Sequence, residues 1–279
     1  MTNNTATCRY DAPGRRERDT LGDGSYWAYG YNERSEVTGG VKHLPPAEAE
    51  AAVHGEAYGY GYDPIGNRRQ TTVNGRRAGY VANGLNQYTS REVPGAVDVL
   101  GSADAGAVVA VGTGTVAGPA ARRQGELFSA AVAVDNHLQA QAPELTITGR
   151  KVPAGGGPEV VSTEHGKVFL PKNQEAFGYD DDGNTVQDGR WDCTWDAENR
   201  LVAAETRADL VTAGVVAKVR IEYAYDACWR RIARTVRSGW NATASSYTQA
   251  ETRRYKPRRR HRFPDSRGPC AVCLPDAAW

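Results

Sequence analysis

The sequence predicts an all-β protein built from repeated antiparallel hairpins. Three features carry that expectation: a recurring aromatic-Asp turn motif, period-two spacing of Tyr and Trp ahead of it, and much glycine with few long aliphatic runs. The 279 residues hold 14 Tyr and 6 Trp against 4 Phe and 1 Met, with 31 Gly. Tyr and Trp suit half-buried pleated surfaces, where the ring packs and its polar end reaches a partner. Lys and Arg number 34 against 33 Asp and Glu, a net charge of +1, so no global field draws nucleic acid or an anionic membrane. The five cysteines, Cys8, Cys193, Cys228, Cys270 and Cys273, are odd in number and unevenly spaced, unlike a disulfide framework.

One unit recurs along the chain: an aromatic residue, Asp or Asn, a short small or polar run, then a basic and apolar stretch. It reads Tyr10-Asp11-Ala12-Pro13-Gly14-Arg15-Arg16, then Tyr31-Asn32-Glu33-Arg34-Ser35-Glu36-Val37, then Tyr62-Asp63-Pro64-Ile65-Gly66-Asn67-Arg68. After a gap come Tyr179-Asp180-Asp181-Asp182-Gly183-Asn184, Trp195-Asp196-Ala197-Glu198-Asn199-Arg200-Leu201 and Tyr225-Asp226-Ala227-Cys228-Trp229-Arg230-Arg231-Ile232. A degenerate copy runs from Tyr80 to Gln87.

The residues ahead of most copies alternate. Trp27, Tyr29 and Tyr31 fall on one face of a strand, as do Tyr58, Tyr60 and Tyr62, Trp191, Cys193 and Trp195, and Ile221, Tyr223 and Tyr225. Period-two spacing marks a strand with one packed face. The Asp-x-x-Gly-Asn segment supplies turn chemistry, because Asp accepts from backbone amides ahead of it and Gly or Asn tolerates positive φ. Each unit is therefore expected to be a hairpin whose aromatic strand covers a neighbour. Spacings of 21, 31, 16 and 30 residues between copies argue against a propeller, which needs near-equal blades.

The segments YDAPGRR, YGYGYDPIGNRR, FGYDDDGN, TWDAENRLVAAET and YAYDACWRRIARTV resemble the tyrosine-aspartate (YD, or RHS) repeat family of bacterial surface and toxin-related proteins. The resemblance covers about residues 9 to 90 and 175 to 255. It implies a spiral sheet forming part of a hollow shell, which in some members encloses a C-terminal toxin domain and in others serves adhesion. It also implies a secreted or cell-surface parent. The start, MTNNTATCRYD, lacks the basic-then-apolar order of a secretory leader.

Residues 93 to 171 break the pattern. Tyr and Trp vanish, and short alternating runs at Val97 to Val99, Val108 to Val111, Phe128 to Val134, Leu145 to Ile147 and Val168 to Leu170 are separated by Pro and Gly. The expectation is a small inserted β-sandwich, similar to immunoglobulin-like or regulatory-like accessory modules. The domain plan is thus repeats at 1–92 and 172–255, a sandwich at 93–171, and a disordered or out-of-frame basic tail at 256–279 that marks a remnant of a longer repeat protein.

Enzymatic chemistry finds little footing. Cys270 and Cys273, with His261 nearby, resemble half a zinc site or a redox pair, but a structural metal site wants four ligands and the second pair is absent. Asp180, Asp181 and Asp182 lack the spacing of a calcium loop. Asp63-Pro64-Ile65-Gly66 is similar to an element beside the self-cleavage site of shell-closing RHS cores, but it sits within an ordinary repeat copy. The five His are scattered without a nucleophile. The reading is a non-catalytic scaffold fragment with no cofactor and no metal, whose Tyr10, Asp11, Gly14, Tyr31, Asn32, Tyr62, Asp63, Gly66, Asn67, Tyr179, Asp180, Gly183, Asn184, Trp195, Asp196, Asn199, Arg200, Tyr225 and Asp226 are structural motif positions. Expected partners are a polypeptide cargo or a carbohydrate met by Tyr and Trp faces such as Trp195 or Trp240, with no nucleic acid and no membrane span, since no stretch reaches the roughly 18–20 apolar residues required. Open sheet edges are expected to make the chain self-associate.

Overall fold

The computed structural model describes residues 7–45, 51–241, 243 and 246–254. Its architecture is all-β and antiparallel. The chain opens with an eight-strand meander in which every strand pairs with the next: β1 (Thr7–Tyr10), β2 (Arg16–Thr20), β3 (Tyr26–Tyr31), β4 (Val37–His43), β5 (Ala52–Tyr62), β6 (Arg68–Val73), β7 (Arg76–Ala82) and β8 (Tyr88–Arg91). The aromatic alternation explains this directly. Trp27 and Tyr29 of β3 lie opposite Lys42 and Gly40 of β4, and Gly40 lies opposite Tyr58 of β5. The Tyr29 ring comes within 3.4 Å of where a Cβ on Gly40 would sit, with Trp27 at 3.8 Å, so the rings lie over the glycine and bury it.

The chain then leaves the meander to form two three-stranded sheets. One has the order β11 (Arg122–Gln124), β12 (Leu127–Ala133), β9 (Ala96–Ser102), and the other β10 (Val108–Thr113), β13 (Glu144–Lys151), β14 (Val160–Lys167). They share one apolar core of Val97, Val99, Val109, Val111, Ala121, Phe128 and Leu145. The two ends of this segment are tied together. Asn136, only 3% exposed, donates from Nδ2 to the carbonyls of Val93 (3.0 Å) and Pro171 (2.8 Å). Asn173 donates its N–H to the Asn136 carbonyl at 2.9 Å and accepts the Val93 N–H on Oδ1 at 3.0 Å.

The meander resumes where it stopped. β15 (Glu175–Ala176) pairs with β8 through Glu175↔Arg91 and Ala176↔Ser90, and β16 (Gly178–Tyr179) pairs with β17 (Thr185–Gln187). Between them the Phe177 N–H donates to the Thr89 carbonyl at 3.1 Å, so β15 and β16 are two halves of one strand. Buried Glu175 forms an ion pair with Arg91 and accepts the Gly189 N–H at 2.9 Å. The ribbon continues through β18 (Trp191–Trp195), β19 (Leu201–Thr206), β20 (Arg220–Tyr225), β21 (Arg231–Asn241) and β22 (Ser246–Arg254), with helix α1 (Ala208–Thr212) between β19 and β20.

The main contacts of each ribbon strand are with its ladder neighbours; β5 also touches β9, β11 and β12. The ribbon strands are half-buried along most of their length rather than alternating buried and exposed, as in a sheet of a single layer. All aromatic-Asp turns lie on one of its edges, and every irregular connection lies on the other, including the 93–173 segment and α1. This explains the uneven motif spacing, since chain length varies only at the second edge.

Three local expectations need correction. Val168 to Leu170 form no strand, and Leu170 makes only an isolated bridge to Gln141; the outer strand lies upstream at β14, whose Ser-Thr-Glu-His-Gly run hides it from an apolar pattern. Helix α1 is also unforeseen, being five residues held by one buried side chain, Leu210. The copy at Tyr80 to Gln87 is a complete turn built on Asn83, with Ala82 where the aromatic stands elsewhere.

Because Arg91 and Glu175 face each other across the ladder, residues 92–174 should be replaceable by a two-residue Asn-Gly hairpin turn. The shortened chain is expected to keep its strand circular dichroism and a single cooperative melt, at a lower Tm because β5 loses cover. Loss of the cooperative melt would show that the ribbon needs the inserted sheets to form.

Candidate functional site

The feature that repeats with fixed geometry is the row of seven turns along the regular edge. In each, Oδ1 of the Asp or Asn accepts the backbone N–H four residues on: Arg15 at 2.7 Å, Glu36 at 3.0, Asn67 at 2.8, Gln87 at 3.0, Asn184 at 2.7, Arg200 at 3.0 and Arg230 at 3.0 Å. In six turns it also accepts the N–H two residues on; in the first that residue is Pro13, which has none. The residue three on takes positive φ: Gly14, Ser35, Gly66, Asn86, Gly183, Asn199 and Trp229, from +57° to +93°. A register shift falls just before every turn, between Arg9 and Tyr10 in the first and between Ala224 and Tyr225 in the last. This is the three-residue hairpin loop with a left-handed residue and a bulge.

The residue four on closes each turn with its side chain, and its chemistry matches the residue it meets. Where an Asp stands, a donor follows: Arg15 Nε to Asp11 Oδ2 (2.6 Å), Asn67 Nδ2 to Asp63 (3.1 Å), Asn184 Nδ2 to Asp180 (3.0 Å), Arg200 Nε to Asp196 (2.7 Å) and Arg230 Nε to Asp226 (2.8 Å). Where an Asn stands, an acceptor follows: Asn32 donates to Glu36 at 2.6 Å and Asn83 to Gln87 at 2.8 Å.

The aromatic before the Asp bonds to the preceding unit. The hydroxyls of Tyr31, Tyr62, Tyr179 and Tyr225 donate to the carbonyls of Arg16 (2.7 Å), Val37 (2.9 Å), Tyr88 (2.9 Å) and Leu201 (2.9 Å), and Trp195 Nε1 donates to Thr185 at 2.9 Å. Each acceptor is the first residue beyond the previous turn's closing side chain. At the fourth unit Ala82 offers no donor, and the Tyr88 hydroxyl instead accepts the Arg68 N–H at 3.0 Å. The Tyr179 bond joins the units on either side of the inserted sheets. Tyr10, at the first turn, is 56% exposed.

Neighbouring turns also touch. Arg15 Nη1 donates to the Asn32 carbonyl (3.1 Å), Arg34 to the carbonyls of Asp63 (2.6 Å) and Pro64, Asn67 to Asn86 Oδ1 (3.2 Å), and Asn184 to Asn199 Oδ1 (2.8 Å). The Arg200 guanidinium lies over the rings of Tyr225 (5.3 Å) and Trp229 (5.8 Å).

These bonds set the electrostatics. The carboxyls of Asp11, Asp63, Asp180, Asp196 and Asp226 are all held below the usual carboxylate value. For Asp11 and Asp63 desolvation raises the pKa, and the N–H donors of Arg15 and Asn67 outweigh it. The Asn184 side chain leads for Asp180, the Arg200 N–H for Asp196 and the Arg230 side chain for Asp226. Burial pushes the Tyr62, Tyr179 and Tyr225 phenols up, keeping them protonated donors. The buried Cys193 thiol is pushed up to about 11 by burial, away from nucleophilic reactivity.

Away from the turns, Glu205 accepts from the Tyr247 hydroxyl (2.8 Å) and pairs with Lys218 (3.1 Å) and Arg220 (3.0 Å). Lys218 sits 3.7 Å from the Trp240 ring centroid. Among the described residues no group of three or more His, Cys, Asp or Glu could hold a metal ion, and no helix is long and apolar enough to cross a membrane. His261, Cys270 and Cys273 lie outside the described residues. The sequence places a degenerate copy at Tyr80 to Gln87 without showing that its turn is built on Asn83; the matched closing side chains and the acceptors of the aromatic donors are not apparent from it, although pairing each Asp or Asn with the residue four on exposes the closing side chains.

No protein-family model matches the chain, and no curated protein matches it. Among solved structures it is similar to the crystal structures of TcdB2-TccC3-TEV and TcdB2-TccC3-Cdc42, each at 14% identity over 90% of this chain with a TM-score of 0.36. The chain spans 12% of the length of those chains.

Removing one aromatic donor, as in Tyr62→Phe, should cost about 1 kcal/mol. Tyr179→Phe should cost the same by urea unfolding, although its acceptor is 91 residues away; a negligible effect there would show the ribbon is not continuous. Stability should also depend on acid in a defined direction. A carboxyl with a depressed folded pKa stabilises the fold above its unfolded value of about 3.9 and loses that contribution as pH falls through the folded value. The urea midpoint is expected to hold from neutrality to about pH 5 and fall below about pH 4, with a shallower fall in Asp63→Asn. A midpoint flat to pH 3 would contradict it.

Proposed function

We propose that the chain is a segment of a non-catalytic wall, as its resemblance to YD/RHS repeat proteins implies: part of the shell of a secreted or cell-surface bacterial protein that encloses or delivers a toxin domain. The observation behind this reading is the unbroken row of seven turns on a one-layer ribbon. Asp11, Asp63, Asp180, Asp196 and Asp226 are engaged in holding their turns, and the aromatic donors Tyr31, Tyr62, Tyr179, Trp195 and Tyr225 bond to the preceding unit rather than to a ligand. Such an arrangement fixes strand order and leaves the ribbon faces available to what they enclose. In the same reading, repeats at 1–92 and 172–255 flank an immunoglobulin-like or regulatory-like accessory module at 93–171, with a basic tail at 256–279.

The cargo would be a polypeptide, met by the Tyr-rich face. A carbohydrate is the second candidate partner, but the two Trp that suggested it are engaged: Trp195 through Nε1 with Thr185, and Trp240 beneath Lys218 and edge-on to Tyr247 at 5.0 Å. A fluorescently labelled, reduced and carboxymethylated polypeptide is expected to gain anisotropy on titration with the chain, equally for Trp240→Ala, with no signal on a glycan array. A glycan signal abolished by Trp240→Ala would replace the wall reading with sugar binding, and an absence of both would overturn the cargo.

A further inference from the structure

Strand β14 is the outermost strand of its sheet, and all eight of its residues are exposed. It overhangs the shared core, which β10 and β13 reach through Val109, Val111 and Leu145. Val160 and Val161 are 60% and 50% exposed, and Val108, across the sheet from Val161 through Arg150, is 60% exposed. An exposed edge strand offers a row of unpaired backbone groups, and proteins that keep such edges single break them with Pro, a bulge or central charges. The N-terminal half of β14, Val160-Val161-Ser162-Thr163, has none of these, and the first charge in the strand is Glu164.

We infer that β14 is a self-pairing strand, joining a second copy of this chain antiparallel about a two-fold axis at Thr163. The order of its side chains carries this. With Thr163 opposite Thr163, Ser162 faces Glu164, Val161 faces His165, Val160 faces Gly166 and Glu159 faces Lys167, each pair occurring twice. Thr–Thr, hydroxyl–carboxylate and opposite-charge pairs are favourable cross-strand neighbours. Moving the axis to Glu164 sets like charges against each other, and moving it to Ser162 sets Val160 against Glu164. The Thr163 register alone of these three satisfies every charged side chain. The contact is isologous and therefore closes at two copies, giving a six-stranded sheet in the order β10-β13-β14-β14-β13-β10. It does not depend on the wall reading, and it assigns self-association to the inserted sheets rather than to the ribbon edges.

Light scattering on the eluting full-length chain tests it. The expected mass is twice 30.1 kDa, falling to 30.1 kDa in Thr163→Pro, which removes the central N–H. Lys167→Glu, which sets Glu against Glu159 twice, should weaken dimerisation about tenfold, and adding Glu159→Lys should restore it. Thr163→Cys should form an intermolecular disulfide on mild oxidation that the parent chain does not. A parent that runs at 30.1 kDa, or association unchanged by Thr163→Pro, overturns the proposal. Dissociation by Thr163→Pro without rescue by the charge swap overturns the Thr163 register.

Discussion

The ribbon depends on one bond that recurs in five of its seven units: an aromatic O–H or N–H to a carbonyl just past the preceding turn. A hairpin alone is marginal in water, and a single-layer sheet has no second layer to fix its register. The turn solves the local part of this. An Asp or Asn side chain gathers backbone N–H groups that the loop would otherwise leave to solvent, and a left-handed residue lets the chain reverse into a twisted pair. The aromatic donor solves the remaining part by tying its turn to the one before, and at the fourth unit, where Ala82 has no donor, the Tyr88 hydroxyl makes the tie by accepting the Arg68 N–H. Tyr serves because a half-buried ring can pack while its hydroxyl reaches a backbone carbonyl, and at Tyr62, Tyr179 and Tyr225 burial keeps that hydroxyl protonated.

Holding one edge frees the other. Between Tyr62 and Ala82 the second edge needs only Asn74-Gly75; between Trp195 and Tyr225 it carries α1; between Ala82 and Tyr179 it carries two whole sheets. None of these shifts the row of turns. The clamp at Asn136 and Asn173 makes this possible, returning the chain to the point at which it left. Variation at the free edge is how a repeat with strict turn geometry can have irregular spacing.

Much of this was legible in the sequence. The Tyr-x-Tyr-x-Tyr runs identify strands, and Asp followed by Gly or Asn identifies the turn between them, because both signals are local. What was hidden is of another kind. Asn83 follows Ala82, so a search keyed on the aromatic aligns Tyr80 instead and calls the unit degenerate. β14 has no apolar period because neither of its faces is buried. The acceptor of Tyr179 is Tyr88, and nothing within either segment announces that the chain returns to its own ladder. Trp229 occupies a left-handed position where Gly or Asn stands in most turns, with its ring beside Arg200; sequence pattern alone gives no sign of that placement.

Amide hydrogen exchange of the N–H groups at Arg15, Glu36, Asn67, Gln87, Asn184, Arg200 and Arg230 tests the continuous row most directly, since each is bonded to the turn residue four positions earlier. Protection at Gln87 and Asn184 comparable to that within either half is the predicted result. Free-chain exchange at these amides, or protection that collapses at the junction between Gln87 and Asn184, would contradict it.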